Sequence, residues 1–263
     1  MKRIRIVLAA ALTFVTICIF KGCNWQDDIP ENYYVKAGDS GAMDIDSSGI
    51  IHILYTVAAV VESGSGKSGI FYAKGTPESG WTQERVFEEV GTIENLGIMA
   101  NGIIIALLRQ ERKVFLLKKS TSGVWTKEPF YDNEAGPGGG IAFDNAGGIH
   151  ICHSYYLTDT LGFDNLRPLY SYKAPGSGNF ITTPISLGTG WVDVNYGKKT
   201  SIAVDSAGKA HMLIGREGQI IPYHIPKLYY ASAEASEGTV NSGAEVSNSA
   251  TQSVDNKIGR AHV

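Results

Sequence analysis

Five times the chain writes a variant of one phrase, at intervals of roughly fifty residues: DSSGIIHI from Asp46, MANGIIIA from Met99, DNAGGIHI from Asp144, DSAGKAHM from Asp205 and DNKIGRAHV from Asp255. A period of that size, built from short apolar strands and tight turns, cannot bury its hydrophobic faces one unit at a time and must stack. It predicts an all-β fold, a β-propeller in which each repeat is one four-stranded blade. The 31 glycines suit the turns, and the 13 tyrosines suit the strands. Four to five blades fit in the chain, and the last repeat stops at Val263 within its second strand. Six or seven blades being the commoner closures, the expected object is an incomplete six- or seven-bladed propeller, truncated at its C-terminus.

The phrase has a physical reading. Asp46, Asp144 and Asp205 each stand three residues before Gly49, Gly147 and Gly208. An Asp side chain can accept backbone N–H groups across a tight turn, and Gly takes the positive φ that other residues resist. The second repeat uses Asn101-Gly102, a hairpin signal in its own right. Three residues after each glycine come His52, His150 and His211, with Asp255, Gly259 and His262 as the last, looser copy. Ile105 replaces the histidine in the second repeat. A residue that recurs in every blade is read as scaffold, here a histidine hydrogen-bonded between blades.

The first 22 residues are a separate object. Lys2, Arg3 and Arg5 precede an apolar run from Ile6 to Phe20, which reads as an export signal and not as a membrane span. Removing it takes four of the 23 basic residues and leaves 19 against 26 acidic ones. With no basic cluster in the body, a nucleic-acid partner is not expected. The end of the signal, Ile19-Phe20-Lys21-Gly22-Cys23, resembles the lipobox of bacterial lipoproteins, with Gly22 as the small residue before a lipidated Cys23, although Lys21 and Phe20 depart from the usual pattern. That resemblance implies a propeller, residues 23–263, tethered in the bacterial cell envelope and touching membrane only through its N-terminal lipid. The alternatives are ordinary cleavage with release from the cell, and a disulfide from Cys23 to Cys152. Unpaired, Cys152 is a small buried hydrophobe.

Over residues 25–263 the chain resembles a group of secreted bacterial β-propellers whose blades carry Asp-x-x-Gly-x-x-His-[Ile/Val]-x-Tyr followed by Leu-x-Tyr and a Trp-led outer strand; Asp46, Gly49, His52, Ile53, Tyr55, Phe71, Tyr72 and Trp81 carry the match. The resemblance implies the fold and leaves function open, since such repeats serve in binding proteins and in polysaccharide lyases. Sialidases share the architecture, but their Asp-box spaces Asp and Gly by one residue where this chain uses two, and no three-arginine site is visible.

Several motifs fail on geometry. Gly66-Lys67-Ser68 echoes a phosphate loop, but Val61 stands where the leading Gly belongs. Asp44 to Gly49 opens like a calcium loop, yet Tyr55 occupies the position of the closing Glu. His150 and His153, three apart on a strand, point to opposite faces. No metal or cofactor is expected.

The repeats differ in the connections between their second and third strands, which are predicted to be long loops at about 157–168 and 216–226. They bring Arg167, Arg216, Tyr223 and His224 to one face, with His153, Tyr155 and Tyr156 leading in. Aromatic faces beside arginine suit a glycan or a protein or peptide ligand. Two function classes stay open: a binding module, and a lyase in which Tyr or His removes a proton α to a carboxylate that Arg neutralises. The sequence is silent on oligomeric state.

Overall fold

The computed structural model describes residues 35–59, 68–131, 134–158, 164–187, 194–218, 227–234 and 240–245. These form four antiparallel four-stranded sheets. The first blade is β1 (Val35–Ile45), β2 (Ile51–Ala59), β3 (Gly69–Thr76) and β4 (Gly80–Phe87), and the second is β5 (Thr92–Ile98), β6 (Ile104–Gln110), β7 (Lys113–Lys119) and β8 (Trp125–Tyr131). The third is β9 (Ala135–Phe143), β10 (Ile149–Thr158), β11 (Asp164–Lys173) and β12 (Ile181–Pro184), and the fourth is β13 (Val194–Val204), β14 (Lys209–Gly218), β15 (Lys227–Glu234) and β16 (Val240–Glu245). Each is a simple meander, and the first strands of consecutive blades lie against one another. That is a propeller arrangement, with β1, β5, β9 and β13 innermost. Among the described residues no helix is long and apolar enough to cross a membrane.

Stacking explains why the second strands are apolar without alternation. In β6, Ile104, Ala106 and Leu108 pack with Leu54, Ile70 and Tyr72 of the first blade, whereas Ile105 and Leu107 pack with Ile141 and Ile151 of the third. The third seam sets Cys152 and Tyr170 against Met212, Ile214 and Tyr229. Cys152 is free, and burial pushes its thiol up to about 12. It is therefore inert as a nucleophile.

Polar bonds pin the seams. Thr56 Oγ1 donates to the Gly91 carbonyl at 2.6 Å, the Gly138 N–H donates to Glu94 Oε2 at 3.2 Å, and Thr200 Oγ1 donates to the Cys152 carbonyl at 3.2 Å. Close approach at the second seam requires glycine at position 97, where a Cβ would meet Phe143 Cε2 at 2.7 Å and Ile141 Cγ2 at 2.8 Å. All four innermost ladders also carry a register shift near the end away from the repeat turns. Such bulges re-aim side chains at rims.

The predicted long loop of the third blade is a correction. β10 and β11 pair residue by residue from Ile149 opposite Lys173 out to Thr158 opposite Asp164, so Arg167 lies on a strand, opposite Tyr155. Pro168 is tolerated at the end of the outer ladder, where its carbonyl still accepts the Ile185 N–H at 3.0 Å and only its own missing N–H leaves a gap. Arg216 likewise lies on β14, opposite Tyr196 and Lys227. The signal segment, Cys23, Tyr223, His224, Asp255, Gly259 and His262 lie outside the described residues.

Candidate functional site

The repeat phrase folds into the same polar network three times, closed within each blade and not, as expected, between blades. In the first blade Asp46 Oδ1 accepts the Ser48 and Ile50 N–H groups at 2.8 and 3.0 Å, while Oδ2 lies 3.1 Å from His52 Nε2. His52 Nδ1 is 2.6 Å from the Tyr72 hydroxyl. A carboxylate only accepts, so the imidazole carries its proton on Nε2 and takes the tyrosine O–H on Nδ1. Asp144, His150 and Tyr170 repeat this at 3.2 and 2.8 Å, and Asp205, His211 and Tyr230 at 3.0 and 2.6 Å. Gly49, Gly147 and Gly208 supply the turn with φ of 81°, 89° and 86°.

The shifts in these networks follow from burial and from the hydrogen bonds just described. Burial lowers His150, against the raising effect of Asp144. Burial also raises Asp144, but the Gly148 N–H and His150 outweigh it and the carboxyl ends below the ordinary range. The His52 hydrogen bond is the main cause of the lowering at Asp46, as His211 is at Asp205.

The second blade replaces the whole triad at once. Met99, Ile105 and Leu116 stand at the three positions and join one apolar cluster. A network that can be exchanged wholesale for hydrocarbon is a packing device. The sequence showed the recurring tyrosine but not its bond, because the pairing of β2 with β3 brings it within reach.

The face away from the repeat turns holds a different constellation, at the seam between the second and third blades. Tyr131 of β8 meets Tyr155 of β10 edge to face, with ring centroids 6.4 Å apart. Arg112, in the turn between β6 and β7, lies over the Tyr156 ring at 4.9 Å from its centroid and pairs with Glu134. The Tyr156 N–H donates to the Glu134 carbonyl at 2.6 Å, tying that residue of the third blade to the connection entering it. Glu94 holds Arg109 Nε at 2.7 Å nearer the axis. The structure therefore brings Tyr155, Tyr156 and Arg167 to one end of the third blade and adds Tyr131, Arg112 and Glu134, which the sequence reading missed. Their local sequences carry no motif; they become neighbours only when two blades pack.

His153 is placed differently from its expected role as an accessible ligand residue. It is 1% exposed, and burial lowers it to about 4. Its side chain lies within the seam, against Phe130 and Tyr131. Among the described residues no group of His, Cys, Asp and Glu is arranged to hold a metal ion.

At the turn end of the first seam, Lys119 sits 4.1 Å over the Tyr72 ring and 5.3 Å from the Trp125 ring, paired with Glu84. Trp125 Nε1 also donates to Glu84, at 3.1 Å. The shallow hollow there is lined by Tyr72, Lys74, Thr82, Gln83, Glu84 and Lys119.

No family model matches the chain, and no curated protein sequence matches it either. Solved structures do. The structure is similar to that of a protein of unknown function from Dyadobacter fermentans, at TM-score 0.56 and 13% identity, covering 82% of this chain and 70% of that one. It is also similar to an ulvan lyase of polysaccharide lyase family 25 bound to a -[GlcA(1-4)Rha3S]- glycan, at TM-score 0.52 and 14% identity, covering 78% of this chain. The chain spans 56% of the length of that lyase. The fold is that of a β-propeller. At such identities the likeness extends to the fold alone.

Proposed function

We propose that this chain is an exported β-propeller, anchored by lipid at Cys23, that binds an acidic glycan on the face away from its repeat turns. The observation that carries the reading is the edge-to-face pair of Tyr131 and Tyr155 across the seam, with Arg167 opposite Tyr155 on β11 and Arg112 over the neighbouring Tyr156 ring. Tyrosine rings offer faces on which sugar rings stack, and guanidinium groups recognise carboxylate or sulfate oxygens in bidentate fashion. The ulvan lyase lends support, since it holds a -[GlcA(1-4)Rha3S]- glycan. Arg216, at the end of β14 away from the repeat turn, belongs to the same proposed face.

A lyase is the second reading, favoured by the register that sets Tyr155 opposite Arg167. A carboxylate neutralised by Arg167 would acidify the neighbouring C–H for removal by a tyrosine. His153, buried as it is, does not serve as that base.

Equilibrium binding to a panel of acidic and neutral polysaccharides, watched in the ultraviolet for unsaturated products, separates these readings. Binding to acidic members without rising absorbance supports the module, and growing absorbance supports the lyase. Failure to bind any member overturns both. Export and anchoring have their own test: the wild type is expected to partition with membranes and Cys23→Ser to be released. Recovery of wild-type protein wholly in the soluble fraction would refute the anchor.

A further inference from the structure

The third blade departs from its neighbours at one buried spot. Three residues past the repeat-histidine position stand Leu108 in the second blade and Ile214 in the fourth, both fully buried and apolar. The third blade puts His153 there, 1% exposed. On the neighbouring strand, where the second and fourth blades carry Leu117 and Ala231, it has the buried Ser171. His153 Nε2 lies 3.1 Å from Ser171 Oγ, which lies 2.7 Å from Thr182 Oγ1 on the outer strand. The other ring nitrogen, Nδ1, is buried with no hydrogen-bond partner. An unsatisfied buried polar atom destabilises a fold, and the remedy, a leucine or isoleucine, is already used by the blades on either side.

The ring lies against the aromatic residues of the candidate ligand face. The His153 imidazole meets Tyr131 edge to face at 5.0 Å and Phe130 at 5.1 Å. Tyr131 in turn meets Tyr155, two residues beyond His153 on the same side of β10 and opposite Arg167. One side of the imidazole is thus anchored through two hydroxyls to the blade's outer strand, and the ring abuts the aromatic pair of the candidate ligand face. A leucine would fill the space without fixing a tilt, since it has no ring edge and no bond to Ser171.

We propose that His153 is a positioning residue, which holds Tyr131 and Tyr155 in the orientation on which a sugar ring stacks. The proposal rests on the glycan-binding reading for its purpose, but not for its geometry. The two can fail separately.

The test compares wild type with His153→Leu and with His153→Gln, which keeps a polar end within reach of Ser171. Three quantities are measured on each: thermal midpoint, ring resonances of Tyr131 and Tyr155 in isotope-labelled protein, and affinity for polygalacturonate as the acidic probe. His153→Leu is expected to melt at the wild-type temperature or roughly 2–4 °C above it. Its Tyr131 and Tyr155 rings should shift while Tyr72 and Tyr230 do not, and polygalacturonate should bind about tenfold more weakly, a difference of the size expected from one lost stacking geometry. His153→Gln should recover part of that affinity. Unmoved Tyr131 and Tyr155 rings in a folded variant would overturn the proposal, as would, where the wild type binds polygalacturonate, an unchanged affinity with the rings displaced. If His153→Leu does not fold, the residue is scaffold and the proposal falls unless His153→Gln folds with the same confined ring shifts. Confined ring shifts in a protein whose wild type ignores every acidic glycan would sink the glycan reading and leave the positioning role standing.

Discussion

One carboxylate does two jobs in each repeat turn. Asp144 closes the turn by accepting the Ala146 and Gly148 N–H groups through Oδ1, and holds His150 through Oδ2. Its histidine is kept neutral by burial, and His153 on the opposite face is kept neutral more strongly. This sets a direction for pH dependence. Folded His153 takes its proton only near about 4, whereas an unfolded histidine takes it near pH ~6.5. Between those values the unfolded chain binds a proton that the folded chain refuses, so stability is complete above about 6.5 and falls as the pH drops. By pH 4 the loss from His153 alone should approach about 3 kcal/mol, with His150 adding to it in the same sense. Urea unfolding at a series of pH values measures this directly. A stability that held level or rose from pH 7 to pH 4 would mean these histidines are not buried neutral.

At the scale of one blade, the second repeat is a natural experiment in which Met99, Ile105 and Leu116 replace acid, imidazole and phenol together. Removing one member elsewhere strands its partners; removing all three does not. His150→Ala should therefore cost on the order of 1–3 kcal/mol. The triple change Asp144→Met, His150→Ile and Tyr170→Leu should cost less than the sum of its three single changes, by about 0.5–3 kcal/mol. Simple additivity in denaturant unfolding would contradict the network. Much of a blade was legible in the sequence: the Asp-to-Gly spacing foretold the turn, and apolar runs foretold strands buried on both faces. Less legible was the length of the third blade's hairpin. Its Asp, Asn and Pro residues have the chemistry of a loop, yet β10 and β11 pair through them. Local residue type cannot reveal pairing with a strand across the hairpin.

For the molecule as a whole, stability is a sum of blades and seams, since each blade touches mainly its neighbours. The proposed ligand face lies at one of the seams. Periodicity made the propeller legible because it is a property of the whole chain. Of the proposed ligand face, the sequence of the third blade marks Tyr155, Tyr156 and Arg167. Tyr131, Arg112 and Glu134 come from the blade and connection before it, and nothing in their own segments marks them.

The two ends of the blades are expected to divide the labour, and one paired measurement exposes it: thermal unfolding and polygalacturonate binding on Tyr155→Ala, Arg167→Ala and His150→Ala. The first two should bind at least about tenfold more weakly, with stability changed by no more than ~1 kcal/mol. His150→Ala should melt earlier and, once folded, bind like the wild type. If His150→Ala abolished binding while Tyr155→Ala and Arg167→Ala bound normally, the ligand would lie along the repeat triads and the proposed face would be the wrong one.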